Sequence, residues 1–377
     1  MKNFFSTLFF VIILAPSVAQ AAISFVGSAE GGAANNADPT ADLTTITGLA
    51  ENDLVIAACG IGDGDAVNLN VTMNSVGYTG INDLFIDDTH ETNFEVFYKF
   101  MSSTPDTSAV CEGSTGGNDA GTAIVVMAFR GVDTTTPFDV ASTSATAIND
   151  PDADPPSIDW STTGVWTVIA AASANALGNS CTSDAYLFPT GYTTDQIECA
   201  GNDTVDISVG MGYNSAPADP EDPGIVDHNG TDSTNNSWAA FTMALRPAVA
   251  VAPTVITNDA GSVGVSSATL TGTISATGGA NATVRGFAWG TNSGLSGSDT
   301  STTTNSGDFG TGNFSQSVIN LKAGITYYLR AYATNSAGNG YGTTTNFTTG
   351  TDNTPSRKIR LFQSSSIKIF NGRIILR

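Results

Sequence analysis

Positive charge is scarce in this chain: across 377 residues, Lys and Arg number 13 against 35 Asp and Glu, giving a formal net charge of −22. Between Ala22 and Gly350 the basic residues are Lys99, Arg130, Arg246, Arg285, Lys322 and Arg330, and no others. Such a body repels phosphate backbones and anionic lipid surfaces, which argues against nucleic-acid binding. Histidine occurs only as His90 and His228, each in an acidic stretch, and there is no Cys-x-x-Cys, His-Glu-x-x-His, phosphate loop or Gly-x-Ser-x-Gly elbow. Zinc chemistry, nucleotide hydrolysis and the serine-hydrolase elbow therefore have no residues to rest on. Arg-Gly-Asp is missing too, since Arg130 precedes Gly131-Val132 and Arg285 precedes Gly286-Phe287. Beyond the N-terminus no apolar run reaches the roughly 20 residues a membrane-spanning helix needs.

What is present starts with a leader. Lys2, an apolar run from Phe4 to Ala15, Pro16 and the small residues of Ala19-Gln20-Ala21 read as a secretory signal peptide over residues 1–21, cut before Ala22. The mature chain is thus expected outside the cell or at its surface, without a transmembrane segment. Its 4 cysteines, Cys59, Cys111, Cys181 and Cys199, suit disulfides in an oxidising compartment. Three pairings are open, and order along the chain favours Cys59 with Cys111 and Cys181 with Cys199; buried free thiols are the alternative.

Gly, Thr, Ser, Asn and Asp dominate the composition, the residues of strands joined by turns, so the fold class expected is all-β. Residues 22–247 contain an internal repeat. Leu54-Val-Ile-Ala-Ala58 recurs 113 positions later as Thr167-Val-Ile-Ala-Ala171, and the same offset sets Val96, Phe100, Ser102 and Asp106 against Val209, Tyr213, Ser215 and Asp219. Ala128-Phe-Arg-Gly131 returns as Ala244-Leu-Arg-Pro247 with the offset grown to 116. Two halves of like strand order, each too small to enclose a core, are expected to close face to face into one sandwich.

After a short, stiff linker at 248–252 within the Ala/Val/Pro segment Pro247-Ala-Val-Ala-Val-Ala-Pro253, strand-like runs recur at 254–257, 267–275, 284–289, 314–321, 326–334 and 343–348. In Ala268-Thr-Leu-Thr-Gly-Thr-Ile274 every second residue is Thr, which gives one apolar and one solvated face. The spacing of Leu321, Gly324, Thr326 and Tyr327, followed by Leu329, Ala331, Ala333 and Asn335, resembles the late strands of bacterial fibronectin type III-like repeats. That resemblance implies an Ig-like sandwich over 253–350, with one strand too polar to see and Tyr327 as a corner tyrosine tied to the preceding loop. Gly272 stands near where many members place a core Trp, so Phe287 and Trp289 are expected to supply the aromatic mass.

The block before it shows Ile23-Ser-Phe-Val-Gly-Ser28, Asn52-Asp-Leu-Val-Ile-Ala57, Phe129-Arg-Gly-Val-Asp-Thr-Thr-Thr-Pro-Phe-Asp139 and Trp238-Ala-Ala-Phe-Thr-Met-Ala-Leu-Arg-Pro247. It is similar to jelly-roll-like domains of secreted bacterial and phage-tail surface proteins, which implies an adhesive or carbohydrate-binding role. A tail at 351–377 reverses the charge with Arg357, Lys358, Arg360, Lys368, Arg373 and Arg377, and places Asn371-Gly372 between two β-like runs. It is read either as a sorting or attachment segment or as a basic end lying on the acidic body.

Candidate sites are few. Asp150, Asp152 and Asp154 put carboxylates on alternate residues, a donor set that suits calcium, although Pro155 and Ser161 break the EF-hand pattern. Asp63-Gly-Asp65 and the stretch holding Asp219, Glu221, Asp222, Asp227 and Asp232 are further candidates, while acids in turns also serve backbone bonding and solubility. Trp160, after Pro155-Pro156, and Tyr192, after Pro189-Thr-Gly191, have the contexts for ligand stacking, whereas Trp166 and Trp238 sit in strand patterns that suit a core. The function expected is non-catalytic adhesion or carbohydrate binding, with a glycan or other cell-surface ligand as partner. A polysaccharide-active hydrolase and a structural surface component are the alternatives, because paired carboxylates that meet across strands leave no trace in sequence spacing.

Overall fold

The computed structural model describes residues 19–34, 37–63, 70–87, 91–112, 121–148, 150, 152–175, 186–201, 206–228, 237–352, 368–370 and 373–375. Among them strands dominate, and the one helical element is a 3-10 turn at Leu43–Thr45. The chain is all-β, as its composition predicts.

The first half of the large sandwich is one antiparallel sheet of β1 (Ser24–Ala33), β2 (Leu54–Asp63), β3 (Thr79–Ile86), β4 (Glu91–Phe100) and β5 (Gly121–Arg130), in the order β1-β5-β2-β4-β3. The second half repeats it with β6 (Thr143–Ile148), β7 (Trp166–Asn175), β8 (Thr193–Gly201), β9 (Asp206–Asn214) and β10 (Ser237–Leu245), in the order β6-β10-β7-β9-β8. Adding five to each label of the first sheet gives the second. The sheets stack with β2 over β7, β5 over β9, β4 over β10, β1 over β8 and β3 over β6. That pattern is a pseudo-two-fold axis parallel to the strands. One core fills the gap, with Ile56, Phe94 and Met127 from one half against Val168, Val209 and Phe241 from the other.

The outer face of the first sheet is covered as well. Leu43, Ile46, Val71 and Ala109 pack on Val55, Ala57, Ile124 and Val126, and the Cys59–Cys111 disulfide fastens this layer to the centre of β2. β2 and β5 are therefore buried on both faces, which is why they read as unbroken apolar runs and not as alternating ones. The first expected cysteine pair is thus present; the second depends on Cys181, which lies outside the described residues.

Double burial also explains where the repeat misleads. Leu54 opposes Phe129 in the β2–β5 ladder and Trp166 opposes Leu245 in the β7–β10 ladder, so on that side the equivalent of Leu54 is Trp166; on the other side Leu54 opposes Phe100 as Val168 opposes Tyr213, and neither ladder gives Thr167. The two Val-Ile-Ala-Ala strings are one residue out of phase. Val55 faces the outer layer while Val168, its counterpart in the sequence repeat, faces the shared core. A slip of one residue turns every side chain over, and it is tolerated only because both faces are apolar. Val96 and Val209, by contrast, both face the shared core.

The C-terminal sandwich packs β11 (Thr254–Gly261), β12 (Ser267–Ala276) and β15 (Gly312–Ile319) against β13 (Ala282–Gly290), β14 (Thr300–Phe309), β16 (Thr326–Asn335), β17 (Gly338–Tyr341) and β18 (Thr345–Thr348). The sheets run β11-β12-β15 and β14-β13-β16-β17, with β18 pairing the start of β16. This is a fibronectin type III-like β-sandwich. Its core holds Leu270, Phe287, Phe314 and Leu329. β14 reads Thr-Ser-Thr-Thr-Thr-Asn-Ser-Gly-Asp-Phe and is the strand too polar to see from sequence. The Tyr327 hydroxyl accepts a hydrogen bond from the Lys322 N–H at 2.9 Å, the corner the resemblance implies. Phe287 is buried and Trp289 packs at the margin of the same core, supplying the aromatic mass that Gly272 does not. Asn335 locks the end of β16: its amide donates to the carbonyls of Val251, Thr277 and Ala280, and its Oδ1 accepts from the N–H groups of Ala337 and Gly338. In the tail, Lys368–Phe370 pairs antiparallel with Arg373–Ile375.

Candidate functional site

The two ends of the large sandwich differ in chemistry. At the end where β2, β7 and β10 meet solvent-side loops, the rungs Asp63–Glu91 and Asn175–Asp206 occupy corresponding places in the two sheets. Asp63, Glu91 and Asp206 are all buried there. The core between them is polar too: the Thr92 hydroxyl bonds to Ser237 and accepts the Ala174 N–H at 3.0 Å, joining three strands across the two sheets. At the opposite end the core is aromatic. Phe25 stacks on Tyr213 at 4.8 Å and Tyr213 on Trp166 at 5.5 Å, with Phe129 edge-on to all three. These rings spend their faces on one another, so they close the core and offer no open platform. Trp238 is likewise buried.

Near the aromatic end lie the two aromatics that the sequence singles out, Trp160 and Tyr192, each tied to a residue of one short segment, Asp219 and Glu221 respectively. Residues 153–158 run antiparallel to 221–226, through bridges of Ala153 with Val226 and Ile158 with Glu221. Two residues on, the Trp160 backbone N–H reaches Asp219 Oδ1 at 3.5 Å. Glu221 accepts from Asn214 Nδ2 at 3.1 Å and from the Ala218 N–H at 2.9 Å. Tyr192 stands beside the same glutamate, its hydroxyl 3.0 Å from Thr167 Oγ1. Burial raises the Tyr192 phenol well above the usual tyrosine range, outweighing the Thr167 bond, and the Glu221 charge adds to the rise. Both rings are half-buried: Trp160 on Ile158, Val165 and Ala244, and Tyr192 on the outer face of the second sheet. The corner thus draws two aromatic rings, an amide and two carboxylates from the segments around 160, 192 and 214–221. Asn214 and Glu221 carry no motif; the acid-rich composition of 214–222 was the only hint of them in the sequence.

The alternating acids are not brought together in the same way. Asp150 Oδ1 accepts the Asp152 N–H at 3.2 Å, the side-chain-to-backbone bond of a turn. Asp152 and Asp154 flank the buried Ala153, with Asp154 exposed. Among the described residues no three His, Cys, Asp or Glu side chains are grouped to hold a metal ion. Asp65, Asp232 and His90 lie outside the described residues.

Two carboxylate pairs meet across strands. Asp83 and Glu95 are direct partners in the β3–β4 ladder, next to a bulge between Gly80 and Asp83. Glu95 lies over Gly80, where a Cβ would overlap its Oε1. Burial, then the charge of Asp83, pushes the Glu95 carboxyl up to about 7, and burial raises Asp83 against a bond from the Val71 backbone. On the facing edge strands, Glu198 of β8 rests over Gly32 of β1 in the same manner. Burial and then Glu30 push it up to about 7. Two further acids are spoken for structurally. Asp53 takes a bidentate bond from Arg130 at 2.8 and 2.7 Å, and Asp139 holds Ser161, Thr162 and Arg246. Burial works against the Asp139 charge, but the Thr162 hydroxyl, the Ser161 and Thr162 N–H groups and Arg246 outweigh it, so its carboxyl sits below the usual range.

No protein-family model and no curated protein matches this chain. Among solved structures it is similar to the sensor domain of the anti-sigma factor RsgI4 in Pseudobacteroides cellulosolvens, at 14% identity and a TM-score of 0.23, over 26% of this chain and 95% of that one. The fibronectin type-III domain of human fibronectin type III domain containing protein 3 gives 18% identity and a TM-score of 0.23, over 29% of this chain and 95% of that one. The chicken CNTN1 FN1-FN3 domains give 11% identity and a TM-score of 0.21, over 88% and 99% respectively.

Proposed function

We propose that this chain is an exported surface protein that binds a glycan or a glycan-bearing ligand without turning it over. In this reading residues 22–247 bind, 253–350 hold the binding unit at a distance, and the basic tail at 351–377 serves attachment. The supporting observation is the Trp160–Tyr192 corner. Ring faces accept the apolar face of a sugar while Asn214, Asp219 and Glu221 offer acceptors and a donor for its hydroxyls, the mixture of apolar contact and few polar anchors that ligand sites use. Its place on loops over a rigid sandwich suits variable recognition. The Cys59–Cys111 disulfide fits an oxidising compartment.

The test is a glycan array probed with the full exported chain and with Trp160→Ala and Tyr192→Ala. Binding that falls at least about tenfold in both variants, a loss of about 1.4 kcal/mol, supports the corner as the site. No signal from the parent chain, together with self-assembly of the purified protein, would replace this reading with a structural one. A hydrolase reading has one specific observation behind it. Asp83 and Glu95 face each other at the spacing of cross-strand partners, and a carboxyl that keeps its proton to about 7 has the property a general acid needs. Release of reducing sugar that disappears in Glu95→Gln would establish it.

A further inference from the structure

The leader offers two small-x-small sequences, Ser17-Val18-Ala19 and Ala19-Gln20-Ala21, whose cuts differ by two residues. The fold treats positions 20 and 21 as its own. Ala21 is 3% exposed, and its N–H donates to the Ala248 carbonyl at 2.7 Å. Gln20 forms an antiparallel bridge with Val249, and its side-chain carbonyl accepts the Thr163 hydroxyl at 3.0 Å. The Ala21 methyl lies against Gly279 of the C-terminal sandwich, where an added Cβ would come within 3.1 Å of it. A leader is discarded, so its side chains have no cause to fit the folded body. These two fit it at three places: the turn at Thr163, the linker and the C-terminal sandwich.

We propose that processing occurs between Ala19 and Gln20, and that Gln20 and Ala21 remain as a strap joining the large sandwich, the linker and the C-terminal sandwich. The inference rests on the export reading above and moves the cut two residues upstream of the site that the Ala19-Gln20-Ala21 pattern suggests. The step is hydrolysis of one peptide bond: water adds at the Ala19 carbonyl carbon, the bond to the Gln20 nitrogen breaks, and a carboxylate and a free amine result. It sacrifices one contact, the Ala250 N–H bond to the Ala19 carbonyl at 2.9 Å. A cut after Ala21 would also remove the Ala21 N–H bond, its buried methyl and the Gln20–Thr163 bond.

The experiment is to express the full chain in an exporting bacterium and identify the first residue of the secreted protein by mass spectrometry of its N-terminal peptide. A start at Gln20, free or cyclised with loss of ammonia, is the expected result. A start at Ala22 overturns the proposal while leaving export intact, and an uncut chain retained in the cell overturns export and this inference together. Ala19→Leu puts a bulky residue before the cut and should raise the uncleaved fraction at least tenfold; unchanged processing sinks the assignment. Proteins engineered to begin at Gln20 and at Ala22 separate the strap from the cut, because the former should melt higher, and equal melting temperatures would remove the strap.

Discussion

The Tyr327 hydroxyl is held by a single backbone N–H, that of Lys322, at the mouth of β16. Tyr327→Phe keeps the ring among Trp289 and Phe347 and removes only that bond, so a loss of about 1 kcal/mol in urea denaturation is expected. Glu95 and Glu198 make a prediction with the opposite pH sense from an ordinary salt-bridged acid. Each holds its proton in the folded chain up to about 7, against 4.5 for a free glutamate. Their neutral forms favour folding below the lower value, and that contribution is lost as pH rises through the upper one. Paired melting curves from about pH 5 to 8 should show the parent chain losing ground to Glu95→Gln/Glu198→Gln as pH increases. Tyr327 was legible because its spacing to Leu321 and Gly324 is local. Asp83 with Glu95 was not, because the bulge before Asp83 and the turn into β4 set their meeting, and neither leaves a fixed offset in the sequence.

At the scale of elements, the disulfide is the fastening between β2 and the layer that covers it. Cys59 and Cys111 are 52 residues apart in sequence and buried together, with Cα atoms 6.3 Å apart. Cys59→Ser/Cys111→Ser should cost about 2–5 kcal/mol in guanidinium unfolding. Hydrogen exchange should quicken first at Leu43, Ile46 and Val71, which pack in that layer. The strands of the C-terminal sandwich were largely visible in the sequence, and in the large sandwich the strand order of the second half follows from the first. Register in β7 was not, since Val168 and Ile169 are both buried and alternation carries no signal where neither face meets water. β14 was hidden for the complementary reason: its Thr and Ser residues meet solvent at an edge and bury little.

For the whole molecule, the shared core means that neither half is complete. Residues 22–137 alone would leave Ile56, Phe94, Val96, Val125, Met127 and Phe129 without their cover. Each such side chain loses about 1.5–3 kcal/mol of burial, and the six together lose about as much as a domain's whole net stability of about 5–15 kcal/mol. The isolated half should therefore appear by circular dichroism and size-exclusion chromatography as unfolded or self-associated; a folded monomer would contradict the single-core account. The Trp160–Tyr192 corner belongs to this scale too. Its aromatics were visible one by one, but the links of Trp160 to Asp219 and of Tyr192 to Glu221 arise only where distant segments pair.

The pseudo-two-fold axis along the strands is the symmetry that two separate copies of one repeat would adopt as a dimer. In a dimer the sheets would part on dilution, and any change to one surface would be made twice, because both partners share one sequence. Joined in a single chain, they meet at an effective concentration on the order of millimolar whatever the dilution. Each copy is then free to change without the other. The one-residue slip in β7, the disulfide on one outer face and the aromatic corner on the other are differences that only a fused pair can keep.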